Sequence, residues 1–183
     1  VLAFFGGTDA VGAAPVLTEV LLSTGRPMEL TVVVGRPELG ERIAGLTPGP
    51  GQSLLPVPPT ATLPALIAAA DLVVSAAGTS TWELCCLGAP SALVCVVDNQ
   101  RESYHRVVAA GLAAGLGELP ALAGDPAAVR AATHTLAGLL DDGARRAELS
   151  ARAWATVDGR GRERVVDAVL DALRQVAAGS PVQ

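Results

Sequence analysis

Short, almost uninterrupted apolar runs alternate along this chain with longer stretches of helical character, and that alternation constrains the fold more than any other feature. Residues 1–5, 30–34, 53–57, 72–75 and 92–97 lack the in-and-out polar alternation of a strand with one wet face. A strand that is apolar on both faces has to be covered on both, as in a parallel sheet held between two helical layers. The intervening residues 11–23, 37–46, 63–70, 81–87 and 102–110 read as helices, and a weaker sixth strand is expected at 113–116. Strand and helix in strict succession mean βαβ crossovers. The expected fold is therefore α/β, a Rossmann-like doubly wound parallel sheet.

Beyond Gly124 no further strand is visible and helices are expected to the end. Asp125-Pro126 is a helix start, with an Asp cap and a proline whose missing N–H costs nothing in the first turn. Asp142-Gly143 breaks the chain before a helix over 144–157. Asp158-Gly159-Arg160-Gly161 then leads into a terminal helix on which Val165, Val169, Leu173 and Val176 share one face. A chain of 183 residues fits one domain, expected here over 1–178 with a tail at 179–183. From the apolar run at residue 1, with no polar lead-in, the chain is expected to be a domain excised from something longer.

Composition removes several function classes. No segment approaches the roughly 20 apolar residues that span a bilayer. The net charge is −5, and the thirteen basic residues are all arginine and mostly scattered. A general nucleic-acid binder, which must neutralise many phosphates, is excluded on that ground. Cys85, Cys86 and Cys95 have no zinc-ligand spacing, and adjacent cysteines are poorly placed to close a disulfide. They read as small buried hydrophobes in a reducing cytoplasm.

Three segments carry candidate chemistry, each at the carboxyl end of an expected strand. Gly6-Gly7-Thr8-Asp9 joins the first strand to a helix, a geometry that turns unpaired amides and the helix dipole toward an anion. It is neither G-x-G-x-x-G nor a Walker A loop, since Ala13-Ala14 stand where Lys and Ser/Thr are needed. A glycine turn closed by an Asp9 cap is the competing reading. Gly78-Thr79-Ser80-Thr81-Trp82-Glu83 offers a second such loop and a carboxylate that can accept both hydroxyls of a ribose. The same residues also spell a capping box from Ser80 to Glu83, and Trp82 is as readily core as site. Asn99 and Gln100 can each donate and accept toward sugar hydroxyls, or simply form a polar turn. His105 and His134 lie on different helices without a partnered nucleophile or carboxylate.

In order, Phe5-Gly6-Gly7-Thr8-Asp9, the stretch from Ala70 to Gly78, Trp82-Glu83-Leu84-Cys85 with Leu87-Gly88-Ala89-Pro90, Asp98-Asn99-Gln100, and Asp158-Gly159-Arg160-Gly161 with Arg164-Val165 cover nearly the whole chain. Together they resemble the UDP-sugar hydrolase family of pseudaminic acid synthesis, also called the spore coat polysaccharide biosynthesis protein G family. A more distant likeness runs to the lipid-linked N-acetylglucosaminyltransferase of peptidoglycan synthesis, which shares the GT-B architecture.

The resemblance implies the C-terminal, UDP-gripping half of a two-domain enzyme that cleaves or transfers the glycosyl group of a UDP-amino-sugar. Residue by residue it implies Gly6, Gly7, Thr8, Gly78, Thr79 and Ser80 on the phosphates, Glu83 on the ribose, backbone near Val57 on the uracil, and Asn99 and Gln100 on the sugar. The family's general base, a histidine in a glycine-rich loop of the N-terminal half, has no counterpart here. Catalytic residues are thus unassigned, and the chain alone is expected to bind nucleotide without turning it over. No metal or other cofactor is implied. The expected partners are UDP or a UDP-sugar and the N-terminal half, with no nucleic acid and no membrane span. The alternatives are an inverting GT-B glycosyltransferase, which would use this half in the same way, and a catalytically silent nucleotide-binding module.

Overall fold

The computed structural model describes residues 1–177, so the expected tail at 179–183 lies outside the described residues. Six parallel strands, β1 (Leu2–Phe4), β2 (Met28–Val33), β3 (Gln52–Val57), β4 (Val73–Ala76), β5 (Ser91–Cys95) and β6 (Ala114–Glu118), form one sheet in the order β3-β2-β1-β4-β5-β6. The chain winds outward from β1 in one direction and then returns to start the other half at β4. β1 therefore pairs with both halves: Phe4 lies opposite Val33 on one side and Ser75 on the other. This reversal opens a crevice at the carboxyl ends of β1 and β4, the place where doubly wound sheets bind ligands.

β1, β4 and β5 are short and buried on both faces, as their composition requires, whereas β3, expected to be covered on both faces, alternates between half-buried and exposed residues at the sheet edge, with Leu55 exposed. Side chains of β1 alternate between two cores: Ala3 packs with α1 (Ala13–Leu22), α2 (Pro37–Ala44), α6 (Leu119–Gly124) and α7 (Pro126–Asp141), whereas Leu2 and Phe4 pack with α3 (Leu63–Ala69), α4 (Ser80–Cys86), α5 (Arg101–Ala109) and α8 (Gly143–Thr156). Leu17, Leu21, Leu136 and Leu139 fill the first core, and Ile67, Leu84 and Leu93 the second. Pro56 is tolerated in β3 because that strand is at the sheet edge, where one side needs no N–H donor.

The C-terminal helices start where the sequence places their caps. Asp125 accepts the Ala127 amide at 2.7 Å and Asp142 the Arg145 amide at 2.9 Å. Two elements differ from expectation. Residues 119–124 form the short helix α6, which is only six residues long and too brief to show a helical period. Residues 98–100, expected as a loop, close a single 3-10 turn. The last helix, α9 (Gly161–Ala177), does carry Val165, Val169, Leu173 and Val176 on one face, but all four are exposed rather than packed on the body. No helix among the described residues is long and apolar enough to cross a membrane.

Candidate functional site

The β1–α1 loop is tightly fixed. Gly6 has φ +77°, and Gly7 lies directly against Gly35 at the end of β2, where any Cβ would stand 2.2 Å from the Gly7 carbonyl oxygen. Asp9 follows at φ +44°, a left-handed conformation that Asp adopts more readily than most residues, and it is only 3% exposed. Its two carboxylate oxygens accept the amides of Ala13 and Ala14, each at 2.8 Å, and Arg36 donates to its backbone carbonyl at 2.9 Å. The N-terminus of α1 is thus already closed by a carboxylate. Of the two readings open for this segment, the Asp9 cap is the one the structure adopts, and the expected use of the α1 dipole for an outside anion is corrected accordingly. What the loop still offers is the backbone of Gly6, Gly7 and Thr8, all exposed.

The β4–α4 loop is open by contrast. The Ala77 amide is engaged by Val94 of β5, but the amides of Gly78, Thr79 and Ser80 have no hydrogen-bond partner among the described residues. The next two amides close a tight turn, Thr81 onto the Gly78 carbonyl and Trp82 onto that of Thr79, both at 3.1 Å. Helix α4 starts without any side-chain cap, so the Ser80–Glu83 capping box does not form. Its seven residues make too short a dipole to dominate. The second helix end expected from the sequence therefore contributes through its loop amides and the hydroxyls of Thr79 and Ser80.

The β5–α5 loop supplies the third wall. Gln100 accepts the Val96 amide on Oε1 at 3.1 Å, while its Nε2 stands 3.3 Å from where Gly78 would carry a Cβ. One end of the carboxamide is anchored to the sheet and the other faces the β4 loop as a free donor. A side chain at 78 would press on that amide nitrogen and require it to shift by a few tenths of an ångström.

These loops enclose a crevice of about 490 Å³ lined by Gly6, Gly78, Thr79, Ser80, Asn99 and Gln100, with Ser75 to Ala77 and Val96 beneath and Trp82 and Ser103 at its sides. No lining residue is charged. An anion here would be held by amides, hydroxyls and carboxamides, not by arginine. A second cavity of about 620 Å³ also has Trp82 in its lining and lies between Leu63, Pro64 and Ile67 of α3, Glu83 and Cys86 of α4 with the following Leu87, and the chain from Thr156 to Arg164. A further depression of about 530 Å³, around Val1, Glu29 and Asp71, is at the opposite edge of the sheet.

Six of the ten residues singled out by sequence therefore meet in one crevice. Glu83 faces the neighbouring cavity, Gly7 and Thr8 line neither, and Val57 stands apart: its carbonyl accepts the Val34 amide at 2.9 Å and its side chain packs against the second core. The β3 contact expected for a base thus lies outside both cavities, and the first residues after β3 that line one are Leu63 and Pro64. Trp82, left open between core and site, is half exposed and lines both cavities. His105 and His134 are exposed on α5 and α7, away from both.

The corner before α9 is also ordered by its own chemistry. Asp158 accepts the Arg160 amide at 3.1 Å and is clasped by the Arg164 guanidinium through both carboxylate oxygens. The Arg164 hydrogen bonds, with the Arg160 amide behind them, hold the Asp158 carboxyl down to about 2. Gly159, at φ +72°, lets this corner lie against Cys86. Among the described residues no group of three or more His, Cys, Asp or Glu side chains could hold a metal ion.

No protein-family model and no curated protein matches the chain. Solved structures do. MurG of Acinetobacter baumannii superposes with a TM-score of 0.77 at 16% identity, over 92% of this chain and 49% of that one. A putative UDP-N-acetylglucosamine 2-epimerase from Listeria monocytogenes gives 0.59 at 17% identity, over 95% and 45%. The spinosyn rhamnosyltransferase SpnG gives 0.59 at 20% identity, over 91% and 44%, and a second structure of it, solved with thymidine diphosphate, gives 0.54. The chain spans about half the length, or less, of each. At such identities the likeness is one of fold, and it leaves the resemblance to UDP-sugar hydrolases without separate support. The strand order, the layered helices and these superpositions together give the chain the Rossmann-like fold of the C-terminal domain of GT-B glycosyltransferases.

Proposed function

We propose that this chain is the nucleotide-sugar-binding domain of a glycosyltransferase that uses a UDP-sugar. The observation that carries the reading is the uncharged, donor-rich crevice at the β1/β4 reversal, whose lining combines Gly78, Thr79 and Ser80, with amides that have no partner among the described residues, and the anchored Gln100 carboxamide. A diphosphate is well served by such fixed donors, which need no reorganisation as the leaving group gains charge. Glu83 then accepts the ribose hydroxyls from the adjoining cavity, and Asn99 and Gln100 face the sugar. This assignment requires no metal. SpnG, of the same fold, is a rhamnosyltransferase solved with thymidine diphosphate, and that likeness supports transfer as the reading.

The acceptor and the general base belong to groups this chain does not supply, so it binds UDP without turnover and works with a further domain of a GT-B enzyme. Three free cysteines suit a reducing compartment, and the cytoplasm is the proposed location. Calorimetric titration of the folded chain with UDP tests the reading. Saturable binding is expected, and no heat of binding at millimolar UDP would sink it.

A further inference from the structure

Trp82 is half exposed, a costly position for one of only two tryptophans in a chain with so few aromatic residues. Among the described residues it is also the one that lines both cavities, the crevice and the neighbouring cavity that holds Glu83. Ser80, one of the crevice donors, and Glu83 are three residues apart on α4, within one helical turn, with Trp82 between them in sequence.

We propose that Trp82 is a ligand-contacting platform on which the nucleoside part of the bound nucleotide lies. In a nucleoside 5′-diphosphate the phosphates and the vicinal diol are joined through the pentose. A ligand that places its phosphates on Gly78, Thr79 and Ser80 and its diol on Glu83 has to carry the pentose across the ground between the two cavities. Trp82 is the residue that the two linings share. A flat aromatic face there replaces water along the apolar face of pentose and base while leaving their polar edges to the flanking donors and acceptor. The second cavity, walled by Leu63, Pro64, Ile67 and Leu87, then takes the base. This deepens the proposed nucleotide site and rests on it.

The test compares wild type with Trp82→Leu and Trp82→Phe by UDP titration, with melting temperatures as a check of folding. Stacking of a base on an aromatic side chain sets the scale, so Trp82→Leu is expected to weaken UDP about tenfold and Trp82→Phe much less. In a Trp154→Phe background, where Trp82 is the sole tryptophan, UDP is expected to change the fluorescence saturably with the same Kd. UDP affinity in Trp82→Leu equal to wild type, or fluorescence indifferent to bound UDP, overturns the platform while the nucleotide site stands. Absence of UDP binding by wild type overturns the nucleotide site and the platform with it.

Discussion

Gly35 and Gly7 are in backbone contact so close that a Cβ on Gly35 would stand 2.2 Å from the Gly7 carbonyl oxygen. The neighbour is main chain, so no rotamer change relieves the clash. Either β2 or the β1–α1 loop must move. Gly35→Ala is expected to cost about 2 kcal/mol in urea denaturation, the scale of overpacking a close-packed site. It should also weaken UDP, because Gly6 is displaced from the crevice rim. A variant as stable as wild type would show that the loop is free to shift.

Asp9 holds the same loop from the other side. Replacing it by Ala strands the amides of Ala13 and Ala14 and puts a β-carbon residue without local hydrogen bonding at φ +44°. Loss of the cap alone is worth about 1 kcal/mol, and up to about 2 in protein hosts. Asp9→Asn keeps one acceptor and tolerates the left-handed conformation, so it should lose distinctly less. Urea denaturation of the two variants decides it, and equal losses would count against the capping account.

How much of this was legible in the sequence depends on what kind of signal each residue carries. The strands and most helices are written in hydrophobic pattern, which burial on both sheet faces enforces in β1, β4 and β5 and which the edge strand β3 carries without that burial. Residues 119–124 escaped because six residues with a proline in the first turn carry no period. At the site, residue type announced that loops of β1, β4 and β5 matter, since glycines and hydroxyls follow the first two strands and Asp98-Asn99-Gln100 the third. It could not say which of two chemically sensible partners each group takes. Asp9 bonds its own helix, whereas Glu83, equally suited to a capping box, does not. Trp82 is a surface residue only because α4 turns it toward the crevice mouth, a fact of tertiary placement that local pattern does not contain.

Because the Ser80–Glu83 box is absent, Glu83 is not committed to stability. Glu83→Gln is expected to leave the melting temperature almost unchanged and to weaken UDP by about tenfold, the loss of a charge-assisted contact. It should weaken dTDP, which lacks the 2′-hydroxyl, by less. Loss of stability comparable to a helix cap, with unchanged UDP affinity, would return Glu83 to a structural role.

The corner before α9 makes a pH-dependent prediction. Asp158 titrates at about 2 in the folded chain against its ordinary 3.8, because Arg164 and the Arg160 amide stabilise its charged form. Between these values the unfolded chain binds more protons than the folded one, so stability rises with pH across the window and is lost as pH falls from about 4 through about 2. The pair is exposed and lies outside both cores, so its effect is local: the corner loosens while the two cores persist. Carboxyl NMR titration should find the Asp158 midpoint near 2 in wild type and nearer 3.8 in Arg164→Gln. Asp158 and Arg164 both wall the second cavity, so Arg164→Gln should also reduce UDP affinity at neutral pH if the base sits there. An unshifted midpoint in Arg164→Gln would assign the low value to the backbone amide instead, and leave α9 tethered by the glycine corner alone.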